Sequence, residues 1–329
     1  MTAQSLRLGV CGLGSIGRRH ARLLSSREGV TVHVYDPGLA PDDSLEADVG
    51  TIIVEASYEA LLESAHDGVV IATPDALHAP LTIQACRAGR PVLVEKPVAD
   101  TSLAALAMDA VSIETGVPVL VGQVLRYSSV LLRSRELLQQ SAIGTPLSFH
   151  ATVGAYETLE VARTRFHEAA TYRLPFDYVH EWDYLQWLLG NVTSCAAVGH
   201  LADNLELVQM PNVIDVLLTM DTGVTGTAHL NYVERHGGRM ARIVGDRGVL
   251  EIDLRASTIA LSDREWNTSH EDHTEHRDGA FNRQLDHFID IATNGAAVGV
   301  SVAVAAKSVA VAEAIVAACT TGQWQHFDR

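Results

Sequence analysis

The stretch Gly12-Leu13-Gly14-Ser15-Ile16-Gly17 decides the fold of the first part of this chain. It follows the apolar run 6–11 and leads into apolar residues with helical spacing over 16–24. In a strand, turn and helix unit, the first glycine permits the tight turn, the second lets the backbone approach a pyrophosphate, and the third lets helix and strand pack closely. The phosphate charge then faces unpaired N–H groups at the helix start. We therefore expect a dinucleotide to contact Gly12, Gly14, Ser15, Ile16 and Gly17.

A second apolar run, Val30 to Tyr35, ends at Asp36. The interval from the glycine turn is close to that of the acidic residue that binds the adenosine ribose. The carboxylate would repel a 2′-phosphate, and the next residue, Pro37, offers no positive charge to accept one. Asp36 therefore predicts NAD rather than NADP, the alternative being an ordinary Asp-Pro turn.

Length and charge narrow the class of protein. A chain of 329 residues exceeds the size at which one core usually stops growing, so we expect two domains. The net charge of -16 argues against nucleic acid or an anionic membrane as a partner, because the long-range force would be repulsive. A small molecule fits better as the partner.

The cysteines and the apolar runs bear on the compartment. Four cysteines form no C-x-x-C pair and no zinc spacing, which favours a reducing environment. We read no signal peptide and no apolar run of membrane-spanning length. A cytoplasmic location without membrane insertion is therefore expected.

Residues 1–122 alternate between short β-branched runs and amphipathic helical patterns. This texture predicts an α/β fold whose N-terminal domain is a doubly wound parallel sheet, a Rossmann domain. The predicted strands are 7–11, 31–35, 51–54, 69–72, 92–94 and 118–121. The predicted helices are 15–26, 57–64, 77–88 and 103–115.

Residues 123–329 have a different texture and are predicted to form an α+β domain. A helix at 129–140 precedes alternating runs at 147–153, 194–200, 212–220, 226–233 and 240–244. Such alternation is typical of a large, open, mostly antiparallel sheet with one wet face. A broad uncovered face often forms a subunit interface, so we expect a homodimer or homotetramer through this sheet. Residues 302–319 are predicted to form a buried C-terminal helix.

Two short motifs follow predicted strands of the first domain. Thr73-Pro74-Asp75 follows the strand that ends at Ala72, and Glu95-Lys96-Pro97 follows the strand that ends at Val94. The carboxyl edge of a doubly wound sheet is where ligands bind, so Lys96 is placed to face a nicotinamide. Pro97 also restricts the backbone of Lys96. The alternative is a solvated lysine in a loop.

With His78, these motifs resemble the Gfo/Idh/MocA family, which includes glucose-fructose oxidoreductase and inositol dehydrogenase. The resemblance extends over essentially the whole chain. The segment 122–127 is similar to the family's domain-crossing segment, and 177–184, with the form D-x-x-H-E-x-D, is similar to the active-site helix of a sugar-acting subgroup. The resemblance implies cofactor contacts from Thr73, Pro74, His78, Glu95 and Lys96.

Spacing supports the predicted active-site helix independently. Intervals of three residues place Asp177, His180 and Asp183 along one flank of a helix. An imidazole beside carboxylates keeps a defined tautomer and changes charge near neutral pH. A lone histidine in a helix is otherwise often a structural residue.

The resemblance also implies the roles of these groups. His180 would take the proton of a substrate hydroxyl as hydride leaves to the nicotinamide, and Lys96 would hold the same oxygen. Asp177 would orient its neighbours. Arg126 and Asp183 are candidates for contacts to substrate hydroxyls, and Arg126 could instead brace the domain junction.

Three local features depart from this pattern or imitate another site. Members of this type usually carry a Gly-Gly pair shortly before the active-site aspartate, whereas this chain has 172–176, Tyr-Arg-Leu-Pro-Phe, which should reshape the pocket.

The basic segment 163–167 would bind an anionic part of the substrate or pair with local acids. His270, His273 and His276 have metal-like spacing, but their hydrophilic setting favours a solvated loop and no metal.

Together these features predict an NAD(P)-dependent dehydrogenase, with NAD preferred, that acts on a secondary hydroxyl of a sugar, polyol or sugar derivative. Two alternatives use the same features. One is a glycoside hydrolase that uses NAD for transient oxidation and elimination. The other is a regulator that binds NAD without catalysis, against which Lys96 and His180 argue.

Overall fold

A computed structural model of the protein describes residues 6–39, 52–161, 172–206 and 210–327. It divides into two compact units. The first comprises Met1–Val124 and Asp278–Val309, and the second comprises Leu125–Arg277 and Ala310–Arg329.

The described strands and helices are as follows. The strands are β1 (Leu6–Cys11), β2 (Val30–Tyr35), β3 (Ile52–Val54), β4 (Gly68–Ile71), β5 (Val92–Val94), β6 (Val119–Val121), β7 (Pro146–Gly154), β8 (Val192–His200), β9 (Val213–Met220), β10 (Thr225–Asn231), β11 (Arg239–Gly245), β12 (Val249–Asp253), β13 (Thr258–Ser262), β14 (Thr268–Asp272) and β15 (Gln325–His326). The helices are α1 (Ser15–Ser25), α2 (Tyr58–Ser64), α3 (His78–Arg87), α4 (Ser102–Thr115), α5 (Ser129–Gln139), α6 (Tyr156–Val161), α7 (Leu174–Asp177), α8 (Val179–Leu189), α9 (Gly279–Asn294) and α10 (Val302–Thr321).

The first unit contains a parallel sheet in the order β3-β2-β1-β4-β5-β6. Strands β4 and β5 are completely buried, as expected of central parallel strands covered on both faces. The strand order reverses beside β1, and doubly wound sheets bind dinucleotides at such a switch point. The predicted Rossmann domain is confirmed. Thr51, the predicted start of the third strand, lies outside the described residues.

The second unit contains a mixed sheet in the order β14-β13-β12-β11-β7-β10-β9-β8-β15. Its pairs are antiparallel except for β7 with β10. One face packs on a core that includes Trp182 and Leu185 of α8. The predicted large, mostly antiparallel sheet is confirmed, but the sequence interpretation did not include β12 to β15.

The segment 278–309 belongs to the first unit, whereas the sequence interpretation placed everything after residue 122 in the second domain. Asp278 accepts hydrogen bonds from Arg19 Nε at 2.8 Å and Arg22 Nη2 at 2.6 Å, both on α1. Phe288 of α9 is fully buried, and its ring lies against Gly68. Long-range ion pairing and burial therefore return this segment to the first unit, which strand and helix periodicity alone did not indicate.

Helix α10 corrects the expectation that no apolar run reaches spanning length. Its 20 residues are long and apolar enough to cross a membrane by length and composition. The core helix of a globular protein passes the same test, and half of the apolar stretch is buried here. Val309 and Ile315 are completely buried.

His270 is exposed, as predicted, but it lies on β14, so the predicted loop is wrong at this position. Register pairing with Ala260 of β13 makes the segment a strand. His273 contacts Glu271 through Nε2 at 2.9 Å. Within the described ranges, no group of three or more His, Cys, Asp or Glu side chains is placed to hold a metal ion.

Candidate active site

The glycine turn between β1 and α1 has the shape that a pyrophosphate requires. Gly12 has a φ of +88°, and a Cβ there would lie 2.8 Å from the Ala72 carbonyl oxygen. A Cβ on Gly17 would collide with the Gly12 carbonyl oxygen. By contrast, a Cβ at Gly14 would meet no described atom within 4 Å, so the side of the turn that would face phosphate is open.

The N-terminus of α1 offers donors to an anion. Gly14 is the N-cap residue, and within the described parts of the chain no side chain caps it by a hydrogen bond. The first turn of α1 contains no acidic residue. The first N–H groups of a helix have no partner inside the helix and attract negative charge. The residues present therefore fit the pyrophosphate of a dinucleotide.

Asp36 connects the end of β2 to the glycine turn. Its Oδ2 accepts the Leu13 N–H at 2.7 Å, and its Oδ1 accepts the Gly38 N–H at 2.9 Å. An ionised carboxylate has about four acceptor positions, so these two bonds leave capacity for ribose hydroxyls. Contact of Asp36 with the ribose stays a prediction.

His78 joins the two loops at the carboxyl edge of the sheet. It is buried, with Nδ1 2.7 Å from the Pro97 carbonyl oxygen and Nε2 2.8 Å from the Thr73 carbonyl oxygen. Pro74 directly follows Thr73 in the sequence. His78 therefore supports the loops that carry the predicted cofactor contacts.

Lys96 is half-buried on the loop that follows β5. The preceding residue, Glu95, is buried; its Oε2 accepts the Lys96 N–H at 3.2 Å, and its Oε1 lies 2.7 Å from His20 Nε2. Burial alone would raise the pKa of Glu95, but the hydrogen bond and charge of His20, together with the Lys96 N–H and ammonium, lower it overall. Glu95 is consequently held as a carboxylate beside the lysine.

The predicted active-site helix is interrupted. Asp177 ends α7, Tyr178 has φ -102° and ψ 34°, and α8 begins at Val179. His180 and Asp183 lie on α8, so the three residues do not follow one continuous helical flank. His180 is only 8 % exposed.

Two side chains hold Asp177. Its Oδ1 accepts from Arg173 Nε at 2.9 Å, and its Oδ2 accepts from the Tyr232 hydroxyl at 2.6 Å. Tyr232 is buried, and its pKa is raised well above its usual value by burial and by the charge of Asp177. Neither Arg173 nor Tyr232 was predicted as a site residue. Tyr232 is 55 positions away from Asp177 in sequence, whereas Arg173 is only four positions before it and its i, i+4 spacing could have indicated the contact.

Arg126 and Asp183 bind each other. Arg126 Nε lies 2.7 Å from Asp183 Oδ2, and Nη2 lies 2.7 Å from Oδ1. The guanidinium also lies 5.4 Å from the centre of the Trp187 ring. Burial raises the pKa of Asp183, and Arg126 opposes that shift. Contact of either side chain with a substrate hydroxyl stays a prediction.

Next to His180, the buried side chain of Glu181 forms a second ion pair. It is 1 % exposed and accepts from Arg239 Nε at 2.6 Å and Nη2 at 2.8 Å. Burial alone would lower the pKa of Arg239, but Glu181 raises it overall. This pair fixes the start of α8, which carries His180, onto strand β11.

The segment before α7 stands where the family resemblance predicts a Gly-Gly pair. Tyr172 has a φ of +63°, in the left-handed region that favours glycine. The backbone thus keeps a conformation suited to glycine although the residue is a tyrosine. The basic segment 163–167 lies outside the described residues.

Comparison with known proteins identifies the family. Residues 6–123 match the oxidoreductase family with an NAD-binding Rossmann fold, GFO_IDH_MocA, and residues 131–251 match the GFO/IDH/MocA C-terminal domain. The chain belongs to the Gfo/Idh/MocA oxidoreductase family. Its first unit is the NAD-binding domain of that family, as the glycine turn predicted.

Similar proteins include two from Saccharopolyspora erythraea. The chain is 27% identical to inositol 2-dehydrogenase 1, over 97% of this chain and 95% of that protein. It is 29% identical to inositol 2-dehydrogenase 4, over 98% of this chain and 96% of that protein. Similarity to both therefore extends over nearly the full length of each chain.

Solved structures show the same fold at lower identity. An oxidoreductase from Agrobacterium radiobacter in complex with NAD+, L-tartaric acid and magnesium has a TM-score of 0.84 at 19% identity, with 98% of each chain covered. Levoglucosan dehydrogenase in complex with NADH and levoglucosan has a TM-score of 0.84 at 16% identity, covering 98% of this chain and 99% of that one.

Proposed function

We propose that this protein is an NAD-dependent dehydrogenase that oxidises a secondary hydroxyl of a sugar or polyol. The observation that carries the proposal is the position of Lys96. This residue lies on a loop held by buried contacts, at the sheet edge where the family binds NAD. Full-length similarity to proteins named inositol 2-dehydrogenase supports a polyol or cyclic sugar as the substrate class.

The residues divide the chemistry between them. His180 takes the proton of the substrate hydroxyl, and Lys96 stabilises the negative charge that develops on the same oxygen. Bound NAD supplies the acceptor for the hydride. Asp177, fixed by Arg173 and Tyr232, holds its carboxyl group at the end of α7, three residues before His180.

We also propose that Asp36 makes NAD the preferred cofactor and that the outer face of the second sheet forms a homodimer or homotetramer. A carboxylate at the ribose position disfavours the 2′-phosphate of NADP. Several apolar residues of the sheet, including Val198 and Met240, are exposed. A cytoplasmic location stays a prediction.

The first experiment measures NADH formation with inositols, monosaccharides, sugar acids and glycosides. With the best substrate, Lys96→Met and His180→Gln should each lower kcat by about 10²- to 10⁴-fold. The affinity for NADH should change much less than kcat, because both variants keep the glycine turn and Asp36, which carry most of the predicted cofactor contacts. Lys307→Met is the matched control, since Lys96 and Lys307 are the only lysines of the sequence and Lys307 is exposed on α10.

Two outcomes would contradict the proposal. One is unchanged turnover in both variants. The other is cleavage of a glycoside without net NADH formation, which indicates the hydrolase that works by transient oxidation.

A further inference from the structure

We propose that Glu95, held in place by His20, is the positioning residue that sets where Lys96 stands. This role goes beyond the cofactor contact predicted for Glu95. It rests on the proposed function only in its kinetic consequence, because the structural part concerns contacts inside the first unit.

The contacts of Glu95 account for both of its oxygens. Oε1 lies 2.7 Å from His20 Nε2, and Oε2 accepts the Lys96 N–H at 3.2 Å. A carboxylate whose two oxygens are both hydrogen-bonded cannot rotate without losing a buried hydrogen bond, and such a loss costs free energy. The Lys96 backbone is therefore tied to His20 through one rigid group.

The space around the Glu95 side chain is also closed on the side of Gly122. A Cβ on Gly122 would lie 3.0 Å from Cα, Cδ and Oε2 of Glu95. Glycine at this position leaves just enough room for the carboxylate. Glu95 therefore has no alternative place for its side chain on that side.

His20 is fully buried and uses one nitrogen for this contact. Its ring packs edge-on against Phe281, with centroids 5.7 Å apart, and its Nδ1 has no hydrogen-bond partner in the part of the chain that is described. Nε2 is thus the nitrogen that donates to Glu95. A buried histidine whose one hydrogen bond in the described part of the chain goes to Glu95 is what a specific support for Glu95 requires.

His20 also connects the lysine to the phosphate site. It lies on α1, the helix whose N-terminus carries Ser15 and Ile16 of the glycine turn. His20 and Glu95 form a direct path from the phosphate-binding helix to the backbone of Lys96. A bound pyrophosphate and the lysine consequently share one rigid support, and a displacement of about 1 Å at a reacting group can cost about 10²-fold in rate.

The test exploits the fact that the sequence contains only two lysines, so that their NMR signals are easily assigned. Protein labelled with ¹⁵N-lysine gives two lysine backbone amide signals, and Lys307→Arg assigns the one from Lys96. Glu95→Gln keeps the shape but removes the charge, so the Lys96 amide proton should move upfield as its bond weakens. His20→Phe removes the support, and His20→Gln restores a donor. Glu63→Gln, an exposed carboxylate on α2, is the control.

The expected result has a structural and a kinetic part. The Lys96 signal moves in Glu95→Gln and in His20→Phe, while His20→Gln returns it toward the wild-type position. Across the same variants, kcat falls by about 10- to 100-fold in His20→Phe and recovers in His20→Gln, with NADH affinity and KM little changed. Melting temperatures identify any variant that fails to fold, and Glu95→Gln, which preserves volume, then decides the structural part.

Two results would overturn the inference. One is a Lys96 signal that stays unchanged in both Glu95→Gln and His20→Phe. The other is an equal loss of kcat in His20→Phe and His20→Gln. If the wild-type protein oxidises no alcohol, the proposed function fails, while the lysine signals still decide whether Glu95 positions Lys96.

Discussion

At the scale of single residues, Asp36 has two duties that one substitution separates. Its Oδ2 holds the glycine turn by accepting the Leu13 N–H, and its carboxylate carries the charge that should exclude a 2′-phosphate. Asp36→Asn removes the charge and keeps an acceptor. The ratio of kcat/KM for NAD to that for NADP should fall by about fivefold or more, because contact between like charges costs on the order of 1 to 4 kcal/mol.

Asp67 offers the control for this prediction. Its Oδ2 also accepts a backbone N–H, that of Arg7 at 2.7 Å, but it lies just before β4, away from the carboxyl edge. Asp67→Asn should leave the cofactor ratio unchanged. An unchanged ratio in Asp36→Asn would show that another feature selects the cofactor.

The pair of Arg126 and Asp183 raises a different question, because both side chains are almost entirely buried, at 9 % and 2 % exposure. Asp183→Asn leaves the guanidinium without a counter-charge and should lower the free energy of unfolding by about 3 kcal/mol. The double variant Arg126→Met, Asp183→Leu should recover most of that loss. Urea unfolding measures both. A single variant with no loss of stability would mean that the pair is not a structural ion pair.

At the scale of elements, α5 forms an ion pair with the β13–β14 hairpin at the edge of the second sheet. Arg133 on α5 binds Glu271 on β14 through Nε at 2.8 Å and Nη2 at 3.0 Å. The hydrogen bond from Arg133 is the main reason that the pKa of Glu271 falls from 4.5 to about 2; burial raises it in part, and His273 lowers it further.

This shift predicts an acid-dependent attachment of β14. A carboxylate whose pKa is lowered on folding contributes stability that is complete above about pH 4.5 and is lost as the pH falls toward about 2. Amide hydrogen exchange in β14, expressed relative to the intrinsic exchange rate at each pH, should lose protection over that range in the wild type. In Glu271→Gln it should be fast already at neutral pH, while Glu265→Gln, on the neighbouring turn, should behave like the wild type. Equal exchange in all three proteins would contradict the role of this ion pair.

At the scale of the whole molecule, the outer face of the second sheet sets the expected assembly. Its outward side chains mix polar groups, such as the His150 and Thr227 pair, with exposed Leu217 and Met240. Burial of such a face against a second copy would cover apolar area that a lone chain leaves in water.

The prediction is a homodimer or homotetramer that Leu217→Asp combined with Met240→Asp converts to monomers. Introduced charges on a buried face are strongly unfavourable. Light scattering after size exclusion measures the mass. Ile113→Asp, at an exposed apolar position on α4, is the control and should not change it. A wild-type protein that is already monomeric would reject this interface.

Local sequence alone determined the Rossmann sheet, the glycine turn and the position of Lys96. Each of these depends on neighbours within a few residues: a turn that only glycine permits, and apolar periods of two or 3.6 residues. The same reasoning predicted one helix through Asp177 and His180 and did not find the interruption at Tyr178, because the contacts that fix Asp177 come partly from a distant strand.

Tertiary structure alone decided how distant segments meet. Asp278 returns to the first unit because α1 presents Arg19 and Arg22 to it, more than 250 positions earlier in the chain. Glu95 finds His20 across 75 residues. Such pairings depend on which charges and surfaces become neighbours when the chain collapses, and the periodicity of a local segment carries no information about its distant partner.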